Sequence, residues 1–135
     1  MQELKDLVDR KVLKLFVGPR EHSVYFELDN GKILCADTEA DCCSETWFAD
    51  IVGVQSLIGG EVRSVENLEV PDGDDSRTRQ EYDRFYGFKI TTVYGHCDFI
   101  YRNSSNGYYS GWLSNARFVE ATPPGARQVT DDFQA

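Results

Sequence analysis

Apolar residues in this chain recur mostly at every second position, in short runs bounded by turn residues, the pattern of strands with one buried and one wet face. The start differs: Leu4, Leu7 and Val8 fall at helical spacing, enough for one or two turns against a sheet edge. Lys11 to Gly18 then reads as a strand closed by Gly18-Pro19. Ser23 to Asp29 reads as a second, with Val24, Phe26 and Leu28 on one face and Tyr25 and Glu27 on the other. Asn30-Gly31 predicts a type I′ hairpin turn, which needs positive φ at both central residues, and Ile33 to Ala36 supplies the returning strand. Such a three-stranded meander cannot bury its inner face alone.

A second set of strands follows. Val54 to Ile58 allows a helical turn stopped by Gly59-Gly60, and Glu61 to Val70 reads as a strand. Pro71 to Arg84 is polar and rich in turn residues, the composition of a surface loop. In Phe85 to Tyr94 the residues Tyr86, Phe88 and Ile90 share a face; Gly95-His96 predicts a tight turn; Cys97, Phe99 and Tyr101 line the next strand. Ser104 to Gly107 is a second Asn-Gly turn, leading into Tyr108 to Val119, where Gly111 interrupts the alternation and predicts a bulge or the close approach of another backbone. One echo joins the halves: Leu7-Val8-x-x-x-Val12 matches Leu57-Ile58-x-x-x-Val62, and each half later carries an Asn-Gly turn, as a duplicated unit of helical turn plus meander would.

These elements predict an α+β fold dominated by antiparallel strands, a curled sheet or small barrel-like sandwich with one or two short helices. Residues 1–121 form a single globular domain, and residues 122–135 form a tail expected to fray except at Phe133.

Composition changes this picture little. The chain has 135 residues, 41% of them hydrophobic, with 8 Phe, 7 Tyr and 2 Trp, and so carries enough apolar surface to fold without disulfide or metal staples. Charge changes it more: 23 acidic against 14 basic residues give −9 at pH 7. Direct nucleic-acid binding needs clustered Lys and Arg, and no such run exists. No apolar run spans a membrane, and the start lacks the apolar core of a secretory signal, so a cytoplasmic setting with free thiols is expected.

The acidity concentrates in Asp37 to Gly53, DTEADCCSETWFADIVG, which reads as a connection between two sections of sheet and as the first place to look for a site. Asp37-x-Glu39-x-Asp41 imitates the opening of a calcium loop, but Cys42 and Phe48 stand where an EF-hand needs Gly and Glu. Adjacent Cys42 and Cys43 would point to opposite faces of an extended segment, the wrong geometry for zinc, while Cys35 and Cys97 read as small core fillers. The two histidines, His22 and His96, come with no nucleophile elbow or phosphate loop. No catalytic residue, metal or cofactor is expected. Among the aromatics, Phe48, Trp112 and most tyrosines read as core. The candidate binding residues are Asp37, Glu39, Asp41, Trp47, Asp50, Asn106 and Tyr108, a set of carboxylates and flat rings suited to cations or to stacking.

The words Asp41-Cys42-Cys43-Ser44-Glu45, Asp50-Ile51-x-Gly53, Leu57-Ile58-Gly59 and Ser105-Asn106-Gly107-Tyr108-Tyr109-Ser110 resemble a family of short phage and bacterial proteins characterised only as a domain of unknown function. The family pattern runs D-C-C-E, whereas Ser44 precedes the Glu here. The resemblance implies a phage or prophage origin and no activity. With the charge, it leads to the expectation of a non-catalytic phage accessory protein that binds a basic surface of a host protein as inhibitor or modulator. One alternative is a small-ligand binder, holding a nucleotide or signalling molecule between Trp47, Tyr108 and Asn106 with Arg102 and Arg117 available for phosphate. Another is a virion or assembly component whose tail orders on contact.

Overall fold

The computed structural model describes residues 3–71, 79–80, 82–106 and 110–135. A 3₁₀ helix, Glu3–Leu7, precedes β1 (Val12–Val17); a short 3₁₀ segment, Pro19–Glu21, leads to β2 (Ser23–Leu28), β3 (Ile33–Ala40) and β4 (Glu45–Val52). The four-residue helix α1 (Val54–Leu57) opens the second series, β5 (Val62–Leu68), β6 (Tyr82–Thr92), β7 (Gly95–Ser105), β8 (Gly111–Leu113) and β9 (Arg117–Val119). β10 (Arg127–Val129) and β11 (Phe133–Gln134) end the chain.

The strands form two antiparallel sheets. One runs β10-β1-β2-β3-β8, with β9 also on β3; the other runs β11-β4-β7-β6-β5. Leu15, Val24, Phe26, Leu34 and Ala36 of the first sheet and Phe48, Ile51, Phe88, Ile90 and Phe99 of the second belong to one buried cluster, sealed by Leu4, Leu7, Val54 and Leu57. Phe26 meets Phe99 between the sheets at 5.5 Å. The fold is thus mainly antiparallel β in two sheets with one short helix. It does not close into a barrel, because each sheet keeps two edges, and the helical share is too small to form a layer.

The echo in the sequence is an echo in the hydrogen bonding. Asp9 N donates to Val62 O (2.9 Å) and Gly59 N to Val12 O (2.8 Å), the same bond made in both directions. Asp9 and Gly59 share positive φ, 71° and 78°. Both first strands carry a bulge at one place, between Val12 and Lys14 and between Val62 and Ser64. Each half then builds a meander, β1-β2-β3 or β5-β6-β7, and sends its next strand to the other half: β4 pairs with β7, while β8 and β9 pair with β3.

Several sequence expectations are corrected. Asp37 to Gly53 is no connection; it is the end of β3, a turn and all of β4. Asn30-Gly31 does reverse the chain, but Gly31 N bonds Leu28 O (3.0 Å) and only Gly31 takes positive φ (82°), the pattern of a three-residue loop with a glycine bulge and not of type I′. The β6–β7 turn falls at Val93-Tyr94, two residues before Gly95-His96, which already belongs to β7. Residues 72–78 and 81 of the expected loop lie outside the described residues, and Tyr82 to Arg84 already belong to β6. In the tail expected to fray, β10 pairs with β1 and β11 with β4, where they satisfy edge amides. No helix among the described residues is long and apolar enough to cross a membrane.

Candidate functional site

Side chains alternate along β3, so Leu34 and Ala36 enter the core while Cys35, Asp37 and Glu39 share the outer face of the first sheet. Each predicted carboxylate there has a partner within the chain. Asp37 accepts from Ser23 Oγ and the Arg117 guanidinium, and more distantly from Cys35 Sγ (3.4 Å). Burial alone would raise its pKa, but the hydrogen bonds from Ser23, Arg117 and Cys35 hold the carboxyl below the ordinary range. Glu39 Oε2 accepts the indole N–H of Trp112 (3.0 Å), its direct cross-strand neighbour. Asp41 Oδ2 accepts Ser110 N (3.2 Å), while Asp41 N bonds Ser110 O (3.1 Å) and carries the β3–β8 ladder one step further. Glu39 and Asp41 are exposed.

The two tryptophans exchange the roles expected of them. Trp47, a candidate stacking platform, is fully buried; Trp112, read as core, is 43% exposed beside Glu39. Trp47 lies on the outer face of the second sheet in a cross-strand row with Arg102 and Phe85. The Arg102 guanidinium, also fully buried, sits 4.5 Å from the Phe85 ring and 5.6 Å from that of Trp47, and is ion-paired with Asp83. Over Trp47 lies Arg79, its guanidinium carbon 4.0 Å from the ring centroid and its Nη1 2.5 Å from Glu45 Oε1. The backbone of this covering piece is pinned to Ser104 Oγ, which accepts from Arg79 N (3.1 Å) and Gln80 N (2.6 Å).

Glu45 gathers further partners: Arg20 Nη2 and His22 Nε2 each stand 3.3 Å from the same oxygen. Behind it the sandwich interior turns polar. Asn103 donates to Thr46 Oγ1 (3.0 Å) and Ser44 Oγ (3.2 Å), and Thr38 Oγ1 to Thr46 O (2.9 Å). A Cβ on Gly111 would collide with Thr46 Oγ1 and come within about 3.0 Å of Asn103 Nδ2, so the close approach read from that glycine is to side chains. Trp47 Nε1 and Asn103 Oδ1 are buried without a hydrogen-bond partner among the described residues.

Asp50 lies past a bulge in β4, opposite Ile100 and Gln134 and apart from the β3 carboxylates. Asn106 is exposed at the end of β7. Tyr108 lies outside the described residues. A hollow of about 790 Å³ forms an open groove lined by residues that include Asn67, Phe85, Tyr86 and Tyr101, with the Tyr86 and Tyr101 rings stacked at 5.3 Å.

The thiols are free. Cys35 and Cys97 are buried; burial pushes the Cys35 pKa up to about 12 and raises that of Cys97 still further, so both stay protonated. Cys42 and Cys43 do not point apart: the turn after β3, with Cys43 at φ 73°, brings their sulfurs to 3.1 Å. Among the described residues no three His, Cys, Asp or Glu gather as metal ligands.

Residues 5–114 match the profile of a domain of unknown function (DUF7448). The uncharacterized protein L278 of Acanthamoeba polyphaga mimivirus is 36% identical over 93 residues, which cover 67% of this chain and 73% of that relative. No solved structure matches.

Proposed function

Because the chain belongs to this family of unknown function, we propose a role for it as a non-catalytic accessory protein of phage type that binds a basic surface on a host protein, as inhibitor or modulator. The observation that carries the reading is where the charges go. Arg10, Arg20, Arg63, Arg79, Arg102, Arg117 and Arg127 each pair with a carboxylate of the same chain. The surplus behind the net charge of −9 therefore faces solvent as carboxylates, including Asp6, Asp9, Glu39, Asp41, Glu66 and Glu69. Such a field speeds encounter with a positive partner and repels acidic ones. The viral source of one relative favours the accessory role.

The test is native mass spectrometry of untagged protein from host extract, followed by affinity measurements across salt. A co-purifying basic protein whose affinity falls steeply with salt, and falls again with Glu39→Gln plus Asp41→Asn, is the expected result. Asp37 is left intact because it ties β9 to β3. A bound small mass with no protein would overturn the reading.

That second outcome would fit the small-ligand reading, which the stacked Tyr86 and Tyr101 beside the open groove favour over the buried Trp47. The assembly reading rests on a tail free to order on contact, and residues 127–129 and 133–134 are already paired.

A further inference from the structure

The internal repeat places the two tryptophans in equivalent positions. Phe26 faces Leu15 and Ile90 faces Val65 at matching steps after the shared bulge; their partners on the next strands are Leu34 and Cys97. Five residues further along each strand stand Glu39 and Arg102, whose cross-strand neighbours are Trp112 and Trp47. Two residues further again stand Asp41 and Ser104, the one bonded to Ser110 and the other paired with Glu45.

One of these equivalent faces is covered by Arg79 and Gln80; on the other, Trp112 is partly exposed and no such cover lies over it among the described residues. On the second sheet the backbone of residues 79 and 80 is pinned to Ser104, the Arg79 guanidinium lies over the Trp47 ring at 4.0 Å, and Glu45 supplies the counter-charge. On the first sheet Trp112 is 43% exposed with its indole N–H bonded to Glu39, and the charges around it are more negative: Glu39 stands in place of Arg102 and Asp41 in place of the neutral Ser104. A planar guanidinium stacks on an indole face while donating to carboxylates at its edge, which a compact ammonium does less well.

We propose that Trp112, Glu39 and Asp41 form a receptor for an arginine side chain carried by an extended segment of a basic partner protein, laid over the first sheet as the Arg79 segment is laid over the second. Glu39 orients the ring and neutralises the incoming charge; Asp41 meets the segment's backbone amide or a second cation. The assignment rests on the basic-partner reading above and names its contact.

The probe is a glycine-serine octapeptide carrying two arginines, titrated at low salt into ¹⁵N-labelled protein while the two indole N–H signals are followed. The arginine peptide should move the Trp112 signal and leave that of Trp47 in place. Replacing its arginines with neutral, isosteric citrulline should abolish the shift, and lysine should weaken binding several-fold. Glu39→Gln, which keeps an acceptor for the indole, should weaken arginine binding about tenfold. A Trp112 signal unmoved by bound arginine peptide, or moved equally by citrulline, overturns the receptor. If the arginine peptide binds elsewhere with the usual salt dependence, the receptor fails while the basic-partner reading stands. If neither basic peptide binds at any salt, both fail.

Discussion

Asp37 shows how a residue can satisfy the chemistry of a binding site and still belong to the fold. Its carboxylate ties β2, β3 and β9 together through Ser23 and Arg117. A folded pKa below the ordinary value near 3.9 means the unfolded chain binds the proton more tightly. The contribution to stability is therefore complete above about pH 4 and disappears as pH falls through the lower, folded value. Urea unfolding of the native protein and Asp37→Asn should differ most at pH 6 to 7 and converge as pH falls through the folded carboxyl's own, lowered value; a gap that stays constant with pH would mean the carboxylate's charge is not what stabilises this corner. The sequence makes such carboxylates visible as a cluster, but not which of them spend their charge on an arginine eighty positions away. The same blindness exchanged the tryptophans. Period-two alternation assigns Trp47 and Trp112 to faces, and both lie on outer faces; the tertiary contact of Arg79 with Trp47 is what distinguishes them.

At the level of elements, hairpins were legible because local chemistry dictates them, and the ends of the chain were not. β1, β2, β5 and β6 follow runs of alternating residues, and the Asn30-Gly31 turn follows from glycine's tolerance of positive φ. β10 and β11 have three and two residues, too few for a period to register, and their partners, β1 and β4, are remote in sequence. Yet the last element does work at the start of the second half. Asp132 Oδ1 accepts Gly53 N (2.8 Å) and Val54 N (3.2 Å), capping α1 from outside, while Phe133 pairs with Ile51. Asp132→Ala should cost about 1 kcal/mol, the usual value of a helix cap, and should speed hydrogen exchange at Gly53 and Val54. Unchanged stability and unchanged exchange at those amides would return residues 131–135 to the status of a loose tail.

For the whole molecule the decisive feature is the crossing of strands between repeats. The echo of Leu7-Val8-x-x-x-Val12 in Leu57-Ile58-x-x-x-Val62 marks where each repeat begins, but no local signal says that β4 will leave its own meander for β7, or that β8 and β9 will return to β3. Sheet order is set by which arrangement buries Phe48 and Ile51 against Phe99 and Phe88, and that is settled only when both halves are present. A fragment of residues 1–53 would hold β4 without a partner and β3 with a bare edge; a fragment of residues 54–135 would leave β7 without β4, and β8 to β11 without the strands they pair with. Neither fragment should unfold cooperatively or give dispersed amide signals alone. Mixed, the two should recover the native spectrum with a midpoint that rises with concentration, because folding has become association. If either half folded alone with native-like dispersion, the exchanged strands would be ornaments on two self-sufficient meanders, and the repeated bond pattern at Asp9 and Gly59 would need another reason to exist.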